Sequence, residues 1–271
     1  ASKVTMQYDA LGNRIQLVDP DYGTVNSLYD AFGQLRWTIS PKGDTTAYEY
    51  DGLGRTIART EIDHNDNTRV MTHWYYNDDT GKKGLLDSIC HDSGNQIVRY
   101  TYDTLNRVVQ VTETLNNHSY STNYEYDGYS RVKTTEYPSH YVTRNVYSNE
   151  TGHRIAIKDG DWNTLWMLNG MNPMGQITEF QTGDGTITNR GYDDMHRLET
   201  QLATNGNNII QDFVYDYDDF SNLAARTENK YALPMTESFT YDRLNRLDSI
   251  KFNNVASVMT YDPHGRILSK Q

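Results

Sequence analysis

The sequence predicts an all-β protein assembled from tandem hairpins, and three observations carry that expectation. A phrase of tyrosine, aspartate, two variable positions, a turn-former and then arginine or a polar residue recurs about twelve times along 271 residues. The residues before each tyrosine alternate with the two-residue rhythm of a strand. Outside that alternation, no stretch of helical length repeats apolar residues at the spacing of a helix face.

The clear copies read YDALGNRI from Tyr8, YDAFGQLR from Tyr29, YDGLGRTI from Tyr50, YDTLNRVV from Tyr102, YDGYSRVK from Tyr126, YDDMHRLE from Tyr192, YDRLNRLD from Tyr241 and YDPHGRIL from Tyr261. Weaker copies begin at Tyr76, Tyr147, Met171 and Tyr217, and successive starts lie 20 to 26 residues apart. Self-similarity at such a period marks a repeat architecture. The rhythm runs from Tyr8 to Arg266 without a Pro-, Gly- or Ser-rich break, so residues 1–271 are expected to form one array with no internal boundary. Both ends fall within the rhythm, which points to a piece of a longer protein.

Each unit reads as strand, tight turn and returning strand. The residue two before the key tyrosine shares its face and is aromatic at Tyr48, Trp74, Tyr100, Tyr124, Tyr215 and Phe239. The aspartate after the tyrosine (Asp9, Asp30, Asp51, Asp103, Asp127, Asp193, Asp218, Asp242, Asp262) can accept hydrogen bonds from backbone amides further along the turn. Three residues later come Gly12, Gly33, Gly54, Gly175, Gly265, Asn106 or Asn245, residue types that accept a left-handed backbone. The chain returns through Val108, Val132, Leu198, Leu247 or Ile267. Two strands per unit make about 24 strands, a sheet on the order of 115 Å wide at ~4.8 Å per strand. Open twisted sheets rarely exceed about 10 strands without curling, so the ribbon is expected to coil as an open segment of a hollow spiral shell. A β-propeller, with two units per blade, is the alternative.

Leu, Ile, Val and Phe make up only 52 of 271 residues, and the net charge is −11, a combination that alone leans toward disorder. The 22 tyrosines reverse that reading, since each buries a large ring and keeps a hydroxyl for a partner. The expected core is therefore thin, aromatic and polar-edged. An acidic chain without clustered Lys and Arg argues against nucleic acid. No apolar run approaches the ~20 residues of a membrane helix, and the opening ASKVTMQYD has no targeting signal of the secretory kind. Cys90, the single cysteine, allows no internal disulfide and is expected to be a buried, inert thiol.

The Tyr-Asp-x-x-Gly-Arg unit at this period resembles the YD repeat of Rhs proteins, found also in the shell component of bacterial insecticidal toxin complexes and in teneurins. The arginine of that pattern stands at Arg55, Arg107, Arg131, Arg197, Arg246 and Arg266. The resemblance implies a β-ribbon spiralling into a shell around a toxic polypeptide, or displaying an adhesive surface. It further implies a secreted or cell-surface bacterial protein. The partners implied are a protein cargo or neighbouring parts of the same shell. The chain departs from full-length members in having no variable C-terminal toxin region and no aspartyl self-cleavage segment. Its nearest string, Asp262-Pro263-His264-Gly265, sits in repeat register and reads as an ordinary turn with Pro263 setting φ.

Catalysis finds no foothold. The acid pairs Asp78-Asp79, Asp193-Asp194 and Asp218-Asp219 fall in turns, where one member is expected to cap backbone amides, and adjacent acids on a strand point to opposite faces. The histidines have no metal-ligand spacing, and neither a nucleophile elbow nor a phosphate loop is present. No enzyme activity, cofactor or metal is expected. The repeating arginine should either pair with the turn aspartate or stack on a key tyrosine. Trp162 and Trp166 stand outside the repeat positions and are the candidates for a sugar contact, which keeps a cell-surface adhesion or carbohydrate-binding module as the second functional reading. Open strand edges near Tyr8 and Tyr261 give a route to self-association.

Overall fold

The computed structural model describes residues 3–91, 96–252, 255–262 and 265–270. Pro263 and His264, and with them the turn geometry expected of Pro263, lie outside the described residues. Among the described residues every regular element is a β-strand, 24 in all, from Thr5–Tyr8 to Ile267–Lys270. The chain falls into two compact units, Ala1–His140 and Tyr141–Gln271.

In the first unit, twelve strands pair in strict sequence order, each antiparallel to the one before it. The second unit repeats this with twelve more strands from Val142–Tyr147 onward. A propeller would break its pairing after every fourth strand. Neither unit does so, and the propeller alternative is set aside.

The hairpin Thr45–Tyr50 with Thr56–Ile62 shows how the sequence builds each repeat. Tyr48 and Tyr50 are half-buried while Glu49 between them is exposed, the alternation of a strand with one preferred face. Pairing runs Glu49 to Ala58 but Tyr50 to Thr56, so one residue of the returning strand is bulged beside the tyrosine. The same shift follows Tyr29, Tyr102, Tyr126, Tyr192, Tyr217, Tyr241 and Tyr261. Bulges of this kind re-aim side chains and increase strand twist.

The core is as thin as the composition suggests. No described side chain is fully buried, and the most enclosed positions are small: Ala58, Ala156, Ala203, Thr72, Ser88, Thr134 and Thr188. Cys90 differs from the expectation of burial. It is half-buried on the strand Leu86–His91, opposite His73 and Ile97, because a single sheet has no second layer to cover it.

Candidate functional site

The recurrent constellation is the turn after each key tyrosine, and Asp51 shows its full form. Its Oδ1 accepts from the Leu53 and Arg55 amides, each at 2.9 Å, and its Oδ2 accepts from Arg55 Nε at 2.6 Å. The Asp51 amide donates to the Arg55 carbonyl at 2.9 Å, and the Gly54 amide donates to the Asp51 carbonyl at 3.0 Å. The same carboxylate–amide and carboxylate–arginine bonds recur at Asp103 with Arg107, Asp127 with Arg131, Asp193 with Arg197 and Asp242 with Arg246. Asp262 and Arg266 repeat them in the last turn. Where arginine is missing, a shorter amide takes its place, as Asn13 does on Asp9, while in the next turn Asp30 accepts from the Phe32 and Gln34 amides.

A left-handed residue closes every one of these turns. Gly12, Gly33, Gly54 and Gly265 have φ between 78° and 91°, and Asn106 and Asn245 have φ of 62° and 60°. Ser130, His196 and Ser221 occupy the same position with φ of 62° to 66°, which the residue types do not advertise. Two of them are held from the preceding turn: Ser130 Oγ accepts from Arg107 Nη1 at 3.1 Å and Ser221 Oγ accepts from Arg197 Nη1 at 3.0 Å.

The tyrosines join neighbouring hairpins. Between hairpins the backbone ladder starts two residues into the returning strand, at Trp37 opposite Ala47 and at Gln110 opposite Asn123, for example. That leaves the carbonyl of the strand's first residue beyond the ladder. The next tyrosine hydroxyl donates to it: Tyr50 to Leu35 at 2.8 Å, Tyr102 to Leu86 at 2.7 Å, Tyr126 to Val108 at 2.7 Å, Tyr192 to Ile177 at 2.8 Å and Tyr241 to Leu223 at 2.9 Å. Tyr29 and Tyr261 do the same to Arg14 and Leu247. Tyr8, in the first strand, instead points its hydroxyl at the Met6 sulfur and is 56% exposed. The arginine plane completes the joint, with the Arg55 guanidinium 4.1 Å from the Tyr76 ring centre, Arg107 4.4 Å from Tyr126, Arg197 4.4 Å from Tyr217 and Arg246 4.3 Å from Tyr261. Pairing and stacking are thus simultaneous: the guanidinium edge serves its own aspartate and its face covers the next tyrosine.

Two members of the acid pairs are taken up in this way: Asp193 and Asp218 each accept from two backbone amides and one side-chain donor. Among the described residues no group of His, Cys, Asp and Glu could hold a metal ion. The two tryptophans sit in different surroundings. Trp166 lies in the strand Thr164–Met171 against Phe180, with ring centres 6.2 Å apart. Trp162 is 56% exposed at the tip of a turn in which Asp159 repeats the whole bonding pattern, and its φ of 69° is unusual for so large a side chain. The Arg144 guanidinium stands 5.3 Å from its ring centre.

The turn bonds make stability sensitive to acid. The Arg55 amide, then the Arg55 side chain, hold the Asp51 carboxyl below its ordinary range, and Arg107 does the same for Asp103; for Asp242 the Arg246 side chain is the leading cause. A carboxyl that is more acidic folded than unfolded contributes stability that is complete above the unfolded value, about pH 4, and is lost as pH falls through the folded value. The urea midpoint is expected to stay level from about pH 7 to pH 5 and to drop below about pH 4. A midpoint equally high at about pH 3 would show that the turn carboxylates do not hold the repeats.

With this geometry in place, the likenesses to known proteins are specific. Residues 29–66, which span the second key turn and the third, match the RHS Repeat family. A search of curated proteins finds no match. Among solved structures, the Photorhabdus luminescens Tc holotoxin pore is 18% identical with a TM-score of 0.81, over 100% of this chain and 16% of that one. The TcdB2-TccC3-Cdc42 structure is 18% identical with a TM-score of 0.83, over 99% and 16%, and TcdB2-TccC3 matches at the same identity and score over 98% and 16%. The chain therefore spans about a sixth of the length of the solved chains it matches. Residues 29–66 match the RHS Repeat family, the same turn recurs in both compact units, and the chain has the fold seen in these Tc toxin structures.

Proposed function

We propose that this chain is a length of wall in an Rhs-type shell, a non-enzymatic scaffold whose native setting encloses a toxin or other polypeptide. The observation that carries the reading is the joint between repeats, in which the turn aspartate holds its arginine while that arginine and the next tyrosine hold one hairpin to the next, as Asp103, Arg107 and Tyr126 do. A sheet with no fully buried side chain among the described residues has the build of a wall, with two faces available and no deep interior. The fold shared with Tc toxin structures along the whole chain supports the same reading. A secreted or surface location follows from this reading.

An adhesive or sugar-binding module has less behind it. Trp166 is occupied by Phe180, and Trp162 is a single ring with Arg144 already beside it. The test uses the native protein that carries this segment, purified without denaturant and treated with trypsin. A polypeptide that resists digestion until the shell is denatured is expected. Digestion of all non-repeat polypeptide at the same rate before and after denaturation would rule out enclosure.

A further inference from the structure

The strand Val142–Tyr147 pairs with Arg154–Asp159 so that Arg144 stands directly opposite Lys158. Residues paired in this way share a face of the sheet, and like charges across a strand pair repel. Among the described residues neither cation has a carboxylate at ion-pair distance. Lys158 Nζ donates to the Trp162 carbonyl at 3.3 Å and to Thr164 Oγ1 at 3.4 Å, both neutral acceptors. The acids next in sequence are otherwise placed: Asp159 accepts from the Asp161 and Asn163 amides and from the Asn163 side chain, and Asp161 is exposed on the turn. The Arg144 guanidinium stacks 5.3 Å from the Trp162 ring centre, and its Nε is buried without an acceptor.

What points to a ligand is the contrast with the repeat turns. Arg107 gives its face to Tyr126 and its edge to Asp103, and Arg197 does the same with Tyr217 and Asp193. Arg144 repeats the aromatic stack without the anion, and a second cation stands across the strand from it. We propose that Arg144 and Lys158 together bind a phosphate group, with the Trp162 ring as one wall of the site. The guanidinium offers paired N–H donors that match two phosphate oxygens, and the ammonium adds a point charge. Two positive charges on one face suit a group that carries up to two negative ones, and binding turns a repulsive pair into two attractive contacts. All of these residues belong to the second unit.

Titration calorimetry of the 271-residue chain with inorganic phosphate tests the proposal, against sodium chloride at matched ionic strength. Saturable uptake is expected, together with a thermal midpoint raised above that in chloride. Arg144→Gln and Lys158→Gln keep much of each side chain and remove its charge. Each is expected to weaken phosphate binding at least about tenfold while folding as wild type does. Lys251→Gln, at an exposed position of the strand Leu247–Phe252, is expected to leave binding unchanged. Phenyl phosphate in parallel separates two sources of the group: equal affinity supports free phosphate, and tighter binding supports a phosphate ester resting on Trp162. A wild-type chain that responds to phosphate no more than to chloride overturns the proposal, as does binding that survives both glutamine substitutions.

Discussion

Replacing Gly23 with valine is expected to destabilise the first unit by roughly 2–4 kcal/mol, from backbone strain and overpacking together. Gly23 opens the strand Gly23–Tyr29 with φ of 103°, outside the range that side-chain-bearing residues adopt readily. A Cβ there would lie 2.7 Å from Pro41 Cβ and 2.9 Å from Pro41 Cγ, and a proline ring cannot rotate aside. Pro41 belongs to the next turn on the same rim, so the glycine is what lets two successive connections pack. Gly54→Val is the milder companion at about 1–2 kcal/mol, the cost of a left-handed backbone. Its φ is 79°, and the atom it would meet is the end of the Gln34 side chain, which can move. The urea midpoint checks both; a Gly23→Val midpoint no lower than that of Gly54→Val would mean that the rim contact does not restrain the backbone.

Tyr126→Ala is expected to cost about 2–4 kcal/mol through lost ring contacts and an unmet carbonyl. The ring lies under Arg107, and its hydroxyl supplies the donor for the Val108 carbonyl where the ladder stops. Tyr126→Phe keeps the ring and removes only the donor, at about 1 kcal/mol. Equal midpoints for the alanine and phenylalanine variants would show that the ring contributes nothing.

What was legible in the sequence was local. The alternation before Tyr50 and Tyr102, the Asp51 and Asp103 turns, and the left-handed Gly54 and Asn106 all follow from residue types within one short segment. The missing parts depend on the next hairpin. The bulge at Tyr50 arises from how the turn feeds the returning strand, and no residue type signals it. The carbonyl partner of Tyr102 lies 16 residues back, at Leu86, and is defined only once the ladder is seen to stop short. Ser130 looked like an ordinary polar residue because its partner, Arg107, is in another repeat. Trp162 stood outside the motif because its turn, anchored by Asp159, uses the same bonding on the opposite connection without a preceding tyrosine. The two readings of the repeating arginine were both available in advance, but that one guanidinium does both at once required the geometry.

The central claim is that adjacent repeats are held together by the arginine of one turn and the tyrosine of the next. A double-mutant cycle on Arg107 and Tyr126, each replaced by alanine, measures that joint directly, because loss of the Arg107–Asp103 pair appears equally on both sides of the cycle and cancels. The predicted coupling is favourable by about 0.5–1 kcal/mol, the range of a cation–π contact that is partly exposed. Additive losses, with coupling indistinguishable from zero, would contradict the account and leave the repeats joined by backbone pairing alone.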